Sequence, residues 1–170
     1  MKGLPRSLSR GSPARQDVVK QVVKVNKLAI QVDGATGVGF GSAVIGGLPE
    51  GNILFLGAVA YMQFTKAASA TGIQDTFDGD YGIGTTPASD ATITDADVNI
   101  IASAALGAAT AGVSPRARGT NATQAILDNT DGSLELNLNL LIDDANISAD
   151  GQDLTVSGEL YIVYSVLGDD

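Results

Sequence analysis

The sequence contains no cysteine, no histidine and no tryptophan. Without cysteine there is no disulfide, no thiol nucleophile and no thiolate metal site. Without histidine the commonest general base and the commonest zinc ligand are both missing. Aromatic residues make up 5% of the chain and charged residues 17%, against about a quarter charged in ordinary soluble domains. The surface must therefore be built largely from Ser, Thr, Asn, Gly and Ala, a composition suited to burial against copies of itself or a partner. Long apolar runs are missing too. The best stretch, Ile53 to Phe64, has 12 residues, short of the roughly 20 that span a bilayer as a helix. No apolar run follows the basic N-terminus, so it does not read as a secretory signal.

These gaps remove most enzyme classes. The serines have no histidine to activate them, and a Ser–Lys pair through Lys66 has no supporting motif. Paired carboxylates such as Asp143 and Asp144 lack the aromatic-lined cleft that glycoside hydrolysis uses. In "GVGFGSAVIGG" the third glycine of a dinucleotide fingerprint is replaced: Ser42 follows Gly37-x-Gly39, and Val44 follows Gly39-x-Gly41. Glycines in such a strand-like run mark close backbone packing instead. Two acidic stretches invite a calcium reading: Asp75, Asp78 and Asp80, and then Asp144, Asn146, Ser148 and Asp150. The second lacks the glycine and the terminal acid of an EF-hand loop, with Ala149 and Thr155 at those places. Turn chemistry is the simpler reading. The expectation is a non-enzymatic protein with no cofactor and no metal.

What is present is an uneven charge. Seven of the ten basic residues, Lys2, Arg6, Arg10, Arg15, Lys20, Lys24 and Lys27, lie in the first 27 positions beside one acid, Asp17. That segment carries +6; the remainder, with three bases and 18 acids, carries −15, for a total of −9. A split this sharp marks an interaction tail. Residues 1–16 contain Pro, Gly and Ser without periodicity and read as an extended basic arm. Residues 17–170 are long enough for one domain.

That domain reads as all-β. The valine-rich "DVVKQVVKVNKLAIQVD" favours strand over helix. Two strands flank the turn "GGLPEG", Gly46 to Gly51. The second is apolar on both faces, with Ile53, Phe55, Val59 and Tyr61 on one and Leu54, Leu56, Ala58, Met62 and Phe64 on the other. Residues 67–96 read mostly as loop with short strands. Residues 98–110 suit strand by alternation and helix by alanine content, with Thr94 and Asp97 as a candidate capping box. In "SLELNLNLLI" alternate leucines share one face, and Glu135, Asn137 and Asn139 the other. In "LTVSGELYIVYSVL", Leu154, Val156, Leu160, Ile162, Tyr164 and Val166 share one face. These last two strands, joined by a polar loop, are expected to pair antiparallel. The fold class expected is an antiparallel β-sandwich, jelly-roll-like, or a β-barrel.

A basic arm leading into a Gly/Ala/Thr-rich, acidic all-β body without His or Cys resembles the auxiliary capsid proteins of tailed bacteriophages, also called decoration or cement proteins. The resemblance spans the whole chain in layout and composition, without a diagnostic motif. It implies a structural virion protein, made in the host cytoplasm, that sits as a homotrimer on the capsid outer surface. There it clamps neighbouring major capsid subunits and stabilises the lattice. The seven bases would be the partner-binding residues, reaching an acidic strip of the lattice. Phe55, Val59, Tyr61 and Phe64 are the expected oligomer interface, since a strand apolar on both faces needs a second cover. Nucleic acid is not expected as a partner, because a −15 body repels a polyanion and the arm lacks stacking rings. A membrane is not expected either. Three rival readings stay open. One is a jelly-roll major capsid protein of a small virus. Another is a carbohydrate-binding virion appendage using Phe77, Tyr81, Tyr161 and Tyr164. The third is a bacterial surface or pilus-type subunit, which would need an export signal.

Overall fold

A computed structural model describes residues 18–34, 37–122 and 126–168. Nine strands account for most of it: β1 (Val18–Val32), β2 (Gly39–Gly47), β3 (Gly51–Lys66), β4 (Gly79–Gly84), β5 (Ile101–Ala105), β6 (Ala117–Thr120), β7 (Ile126–Asn129), β8 (Glu135–Ile142) and β9 (Gln152–Gly168). They form two antiparallel sheets. One runs β1-β9-β3-β6, with β7 on the same edge of β3 as β6; the other runs β2-β8-β4-β5. The chain is an all-β sandwich, as its alternation indicated.

The pairing is nested. The first strand pairs with the last, β2 with β8, β3 with β6 and β7, and β4 with β5. This is one long hairpin folded over two sheets, the order of a double-sheet jelly roll. It corrects the expected β8–β9 pair. Those strands are consecutive, yet β8 lies between β2 and β4 while β9 lies between β1 and β3. The polar loop between them crosses from one sheet to the other. Alternation reports which face a strand buries and not which neighbour it takes.

The core fills the space between the sheets. Leu136, Leu138, Leu140 and Ile142 of β8 face Leu154, Val156, Leu160 and Ile162 of β9, and all eight are buried. Each contributes on the order of 1.5–3 kcal/mol relative to exposure. The Phe64 and Tyr81 rings meet across the sheets at 5.6 Å between centroids, tilted by 52°.

Two bulges reset the faces. In β1 the ladder slips between Val25 and Leu28, so Val25 and then Ile30 and Val32 are all buried. Lys27 sits at the slip with a left-handed φ of 52° and donates its amide to Ser157 Oγ at 3.0 Å. In β3 the slip falls between Phe55 and Gly57. Before it, Ile53 and Phe55 point inward; after it, Ala60, Met62 and Phe64 do. The expected single face of Ile53, Phe55, Val59 and Tyr61 is therefore split. Phe55 and Phe64, at 1% and 0% exposure, belong to the monomer core and not to an oligomer surface. Val59 and Tyr61 remain half-exposed on the outside.

The outside of the four-stranded sheet is covered. Residues 85–99 lie over β4 and β8. Asn139, expected to face solvent, is fully buried there. Its Nδ2 donates to the carbonyls of Thr86 at 2.9 Å and Asp97 at 2.7 Å, and its Oδ1 accepts the Ala88 amide at 2.8 Å. Gly82 and Gly84 make room: a Cβ at Gly82 would run into Val98, and one at Gly84 into the Ala96 carbonyl. The Thr94–Asp97 capping box is present on a single 3-10 turn, Asp95–Asp97, and residues 98–110 resolve as strand only from Ile101 to Ala105.

Candidate interaction surface

Among the described residues no loop lies over the outside of the five-stranded sheet as residues 85–99 lie over the other. Register places its outward residues in rows. Val18, Ser165, Leu54 and Ile126 form the first. Val22, Tyr161, Val59 and Thr120 form the second, and Lys24, Glu159, Tyr61 and Arg118 the third. Lys20, opposite Val163, lies between the first two. Val18 and Ile126 are each 63% exposed and Val22 is 42% exposed. At about 3.3 Å per residue and about 4.8 Å per strand, the rows cover roughly 20 Å by 15 Å. The first row is apolar except for Ser165; the other end is charged and aromatic.

Two cations lie over two tyrosines at the charged end. Lys20 Nζ is 5.0 Å from the Tyr161 ring centroid, and Arg116 Cζ is 5.8 Å from that of Tyr61. The Tyr161 hydroxyl donates to Glu159 Oε2 at 2.6 Å; this bond and the adjacent carboxylate hold the phenol above its usual pKa. Among the described residues the one ion pair is elsewhere, Lys66 Nζ to Asp75 Oδ1 at 2.6 Å. Lys20, Lys24, Arg116 and Arg118 thus have no ion-pair partner among the described residues.

Of the seven arm bases, Lys2, Arg6, Arg10 and Arg15 lie outside the described residues. Lys20 and Lys24 fall on the outer face just described. Lys27 is exposed at the β1 bulge, where it lines a cleft of about 340 Å³ with Lys24, Asn26, Leu28, Val44 and Ile45. Arg116 and Arg118 were not singled out as partner-binding residues. They lie more than fifty residues from Tyr61 in sequence, and only the β3–β6 register brings them together.

The rings that the rival carbohydrate-binding reading would need on the surface are mostly not there. Phe77, Tyr81 and Tyr164 are buried, and only Tyr161 of the four reaches the surface. Burial pushes the Tyr81 phenol up to about 12. Several groups of the acidic loops are taken up by backbone, local or distant. Asp78 Oδ1 accepts the Gly79 amide at 2.8 Å, Asp150 Oδ1 accepts the Gly34 amide at 2.6 Å, and Ser148 Oγ donates to the Gly72 carbonyl at 3.2 Å. Among the described residues no group of three or more acids is placed to hold a metal ion. Lys66, the candidate for a Ser–Lys pair, also donates to the Ile73 carbonyl at 2.9 Å. No helix among the described residues is long and apolar enough to cross a membrane.

No protein-family model and no curated protein matches the chain. Among solved structures, one described as "Structure of infectious bursal disease virus Gx strain" aligns with 86% of this chain and 33% of its own, at 13% identity and a TM-score of 0.39. This chain spans about a third of that one. The likeness is below the level at which it carries an argument about fold or function.

Proposed function

We propose that the protein is a structural virion component that binds the outer surface of a phage capsid, as a decoration protein, and stabilises it by clamping neighbouring major capsid subunits. The observation that carries this reading is the charge layout: bases gathered in the first 27 residues of an otherwise acidic chain, with Lys20 and Lys24 on an outer sheet face and without an ion pair among the described residues. A protein of this charge uses such a segment to hold a complementary, acidic surface. The nested sandwich is in keeping with it, since double-sheet jelly rolls serve as virus coat modules. The same topology also fits a capsid subunit of a small virus, the second reading. Catalysis forms no part of either. The apolar first row, with Val18, Leu54 and Ile126, is the proposed contact between copies in a homotrimer.

The test is occupancy on capsid shells stripped of this protein and rebound with the full chain or with a chain lacking residues 1–16, across a salt series. Exposed charge pairs are screened by salt, so binding should weaken as salt rises and weaken further without the arm. Equal occupancy for both chains would remove the arm as tether. Tight retention of nucleic acid by the 1–27 peptide would favour the capsid-subunit reading.

A further inference from the structure

We infer that the band formed by Lys20, Lys24, Tyr61, Tyr161, Arg116 and Arg118 is a docking surface for an acidic segment of a partner protein. The inference extends the reading above by giving the body, and not only the arm, a charged contact of its own. Four of the six bases among the described residues lie in this band, and none of the four is ion-paired. The fifth, Lys66, is tied to Asp75, and the sixth, Lys27, lies at the β1 bulge. Glu159, the acid placed within the band, takes the Tyr161 hydroxyl and forms no ion pair with any of the four cations. Two of the cations instead rest over tyrosine rings at 5.0 and 5.8 Å, a contact that positions a charge without neutralising it. Cations held this way lose little freedom when an external carboxylate arrives.

The chemistry favours protein carboxylates over phosphates. Glu159 sits inside the band and takes the Tyr161 hydroxyl, so a continuous run of phosphates would meet a fixed negative charge. The tyrosine faces carry cations and are not open for base stacking. The remaining surface is acidic and repels a long polyanion, whereas a short carboxylate strip needs to match the band alone over about a Debye length, roughly 8 Å. Val22 and Val59, in the row of Tyr161, also call for apolar cover, which a folded partner supplies and a nucleic-acid backbone does not.

The 15N-labelled full chain is titrated with a short oligo-L-glutamate of about five residues and, separately, with a single-stranded oligo-dT of about the same length. Amide shifts are expected at Lys20, Lys24, Tyr61, Arg118 and Tyr161 with oligoglutamate. Arg116→Gln/Arg118→Gln, at exposed positions, should weaken that binding about three- to tenfold. Shifts confined to residues 1–17, unchanged affinity in the double variant, or tighter binding of oligo-dT would each overturn the inference. A homotrimer that dissociates in the double variant would overturn it too, since the occupant would then be a second copy. The two readings fail separately. If stripped shells do not take up the wild-type chain, the decoration role fails and the glutamate-binding band stands. If shells take up wild type and double variant equally, the band is not the docking surface.

Discussion

The Ala88 amide donates to the Asn139 side-chain oxygen at 2.8 Å across 51 residues of sequence. With the two bonds from Asn139 Nδ2 to Thr86 and Asp97, this pins the 85–99 loop over the four-stranded sheet. Each buried group left without a partner costs about 1–3 kcal/mol. Asn139→Leu, close in size, orphans one amide and two carbonyls. It should cost about 3 kcal/mol or more in denaturant unfolding and raise proteolysis within residues 85–99. A loss under about 1 kcal/mol would show that the loop is held by other contacts.

Gly158 and Gly46 form a contrasting pair. A Cβ at Gly158 would run into the Tyr61 carbonyl and lie 2.6 Å from Met62 Sδ, whereas at Gly46 the nearest atom is Val23 Cγ2 at 3.6 Å. Gly158→Ala should therefore destabilise by about 1–3 kcal/mol or more, because backbone must move. Gly46→Ala should be neutral or gain a few tenths, from reduced freedom of the unfolded chain. Similar melting temperatures for the two variants would contradict the close packing of β9 on β3.

Much of this was legible from residue patterns and some was not. The alternating leucines of β8 and β9 sit inside as their spacing indicated, because period 2 and burial are directly linked. Their pairing is not legible from the spacing, since a chain folded in a nested order separates consecutive strands. The β3 faces were misjudged at a bulge, where one extra residue inverts every later side chain. Asn137 and Asn139 looked solvent-facing because the loop that covers them lies about fifty residues away. Gly82 and Gly84, alternating on β4, were the available sign of a close cover. The cation–tyrosine band joins β1, β3, β9 and the segment entering β6, so no local motif announces it.

Ser165 lies 2% exposed between Val18 and Leu54, and its hydroxyl has no hydrogen-bond partner. A desolvated hydroxyl without a partner opposes folding. Ser165→Ala should leave stability unchanged or raise it by about 1 kcal/mol, measured by thermal or urea unfolding. A clear loss would mean that the hydroxyl is bonded in solution.

Asp80 has a pKa raised above 3.8 by burial and then by the nearby charges of Asp143 and Asp78. The folded state therefore holds this proton to higher pH than the unfolded state does. Stability falls as pH rises from 3.8 through the raised value, and the penalty persists at neutral pH. Asp80→Asn should raise the melting temperature at pH 7, and the gain should shrink on acidification and vanish below the unfolded value. A gain independent of pH would point to packing and not charge.

Residues 1–16 carry no periodic apolar face, and the paired strand register begins at Val18 opposite Ser165. The first buried side chain of β1 is Val25, well inside the strand. On the proposed reading, therefore, folding energy resides in the body and the arm is left to a partner. Deleting residues 1–16 should leave both the denaturation midpoint and the denaturant slope unchanged. The slope is the sharper readout, because it scales with the surface buried on folding. A smaller slope with a lower midpoint would mean that the arm packs on the body and that the boundary at residue 16 is misplaced. An unchanged slope with a higher midpoint would mean that the four arm cations repel Lys20 and Lys24, and that added salt should raise the midpoint of the full chain more than that of the truncated one.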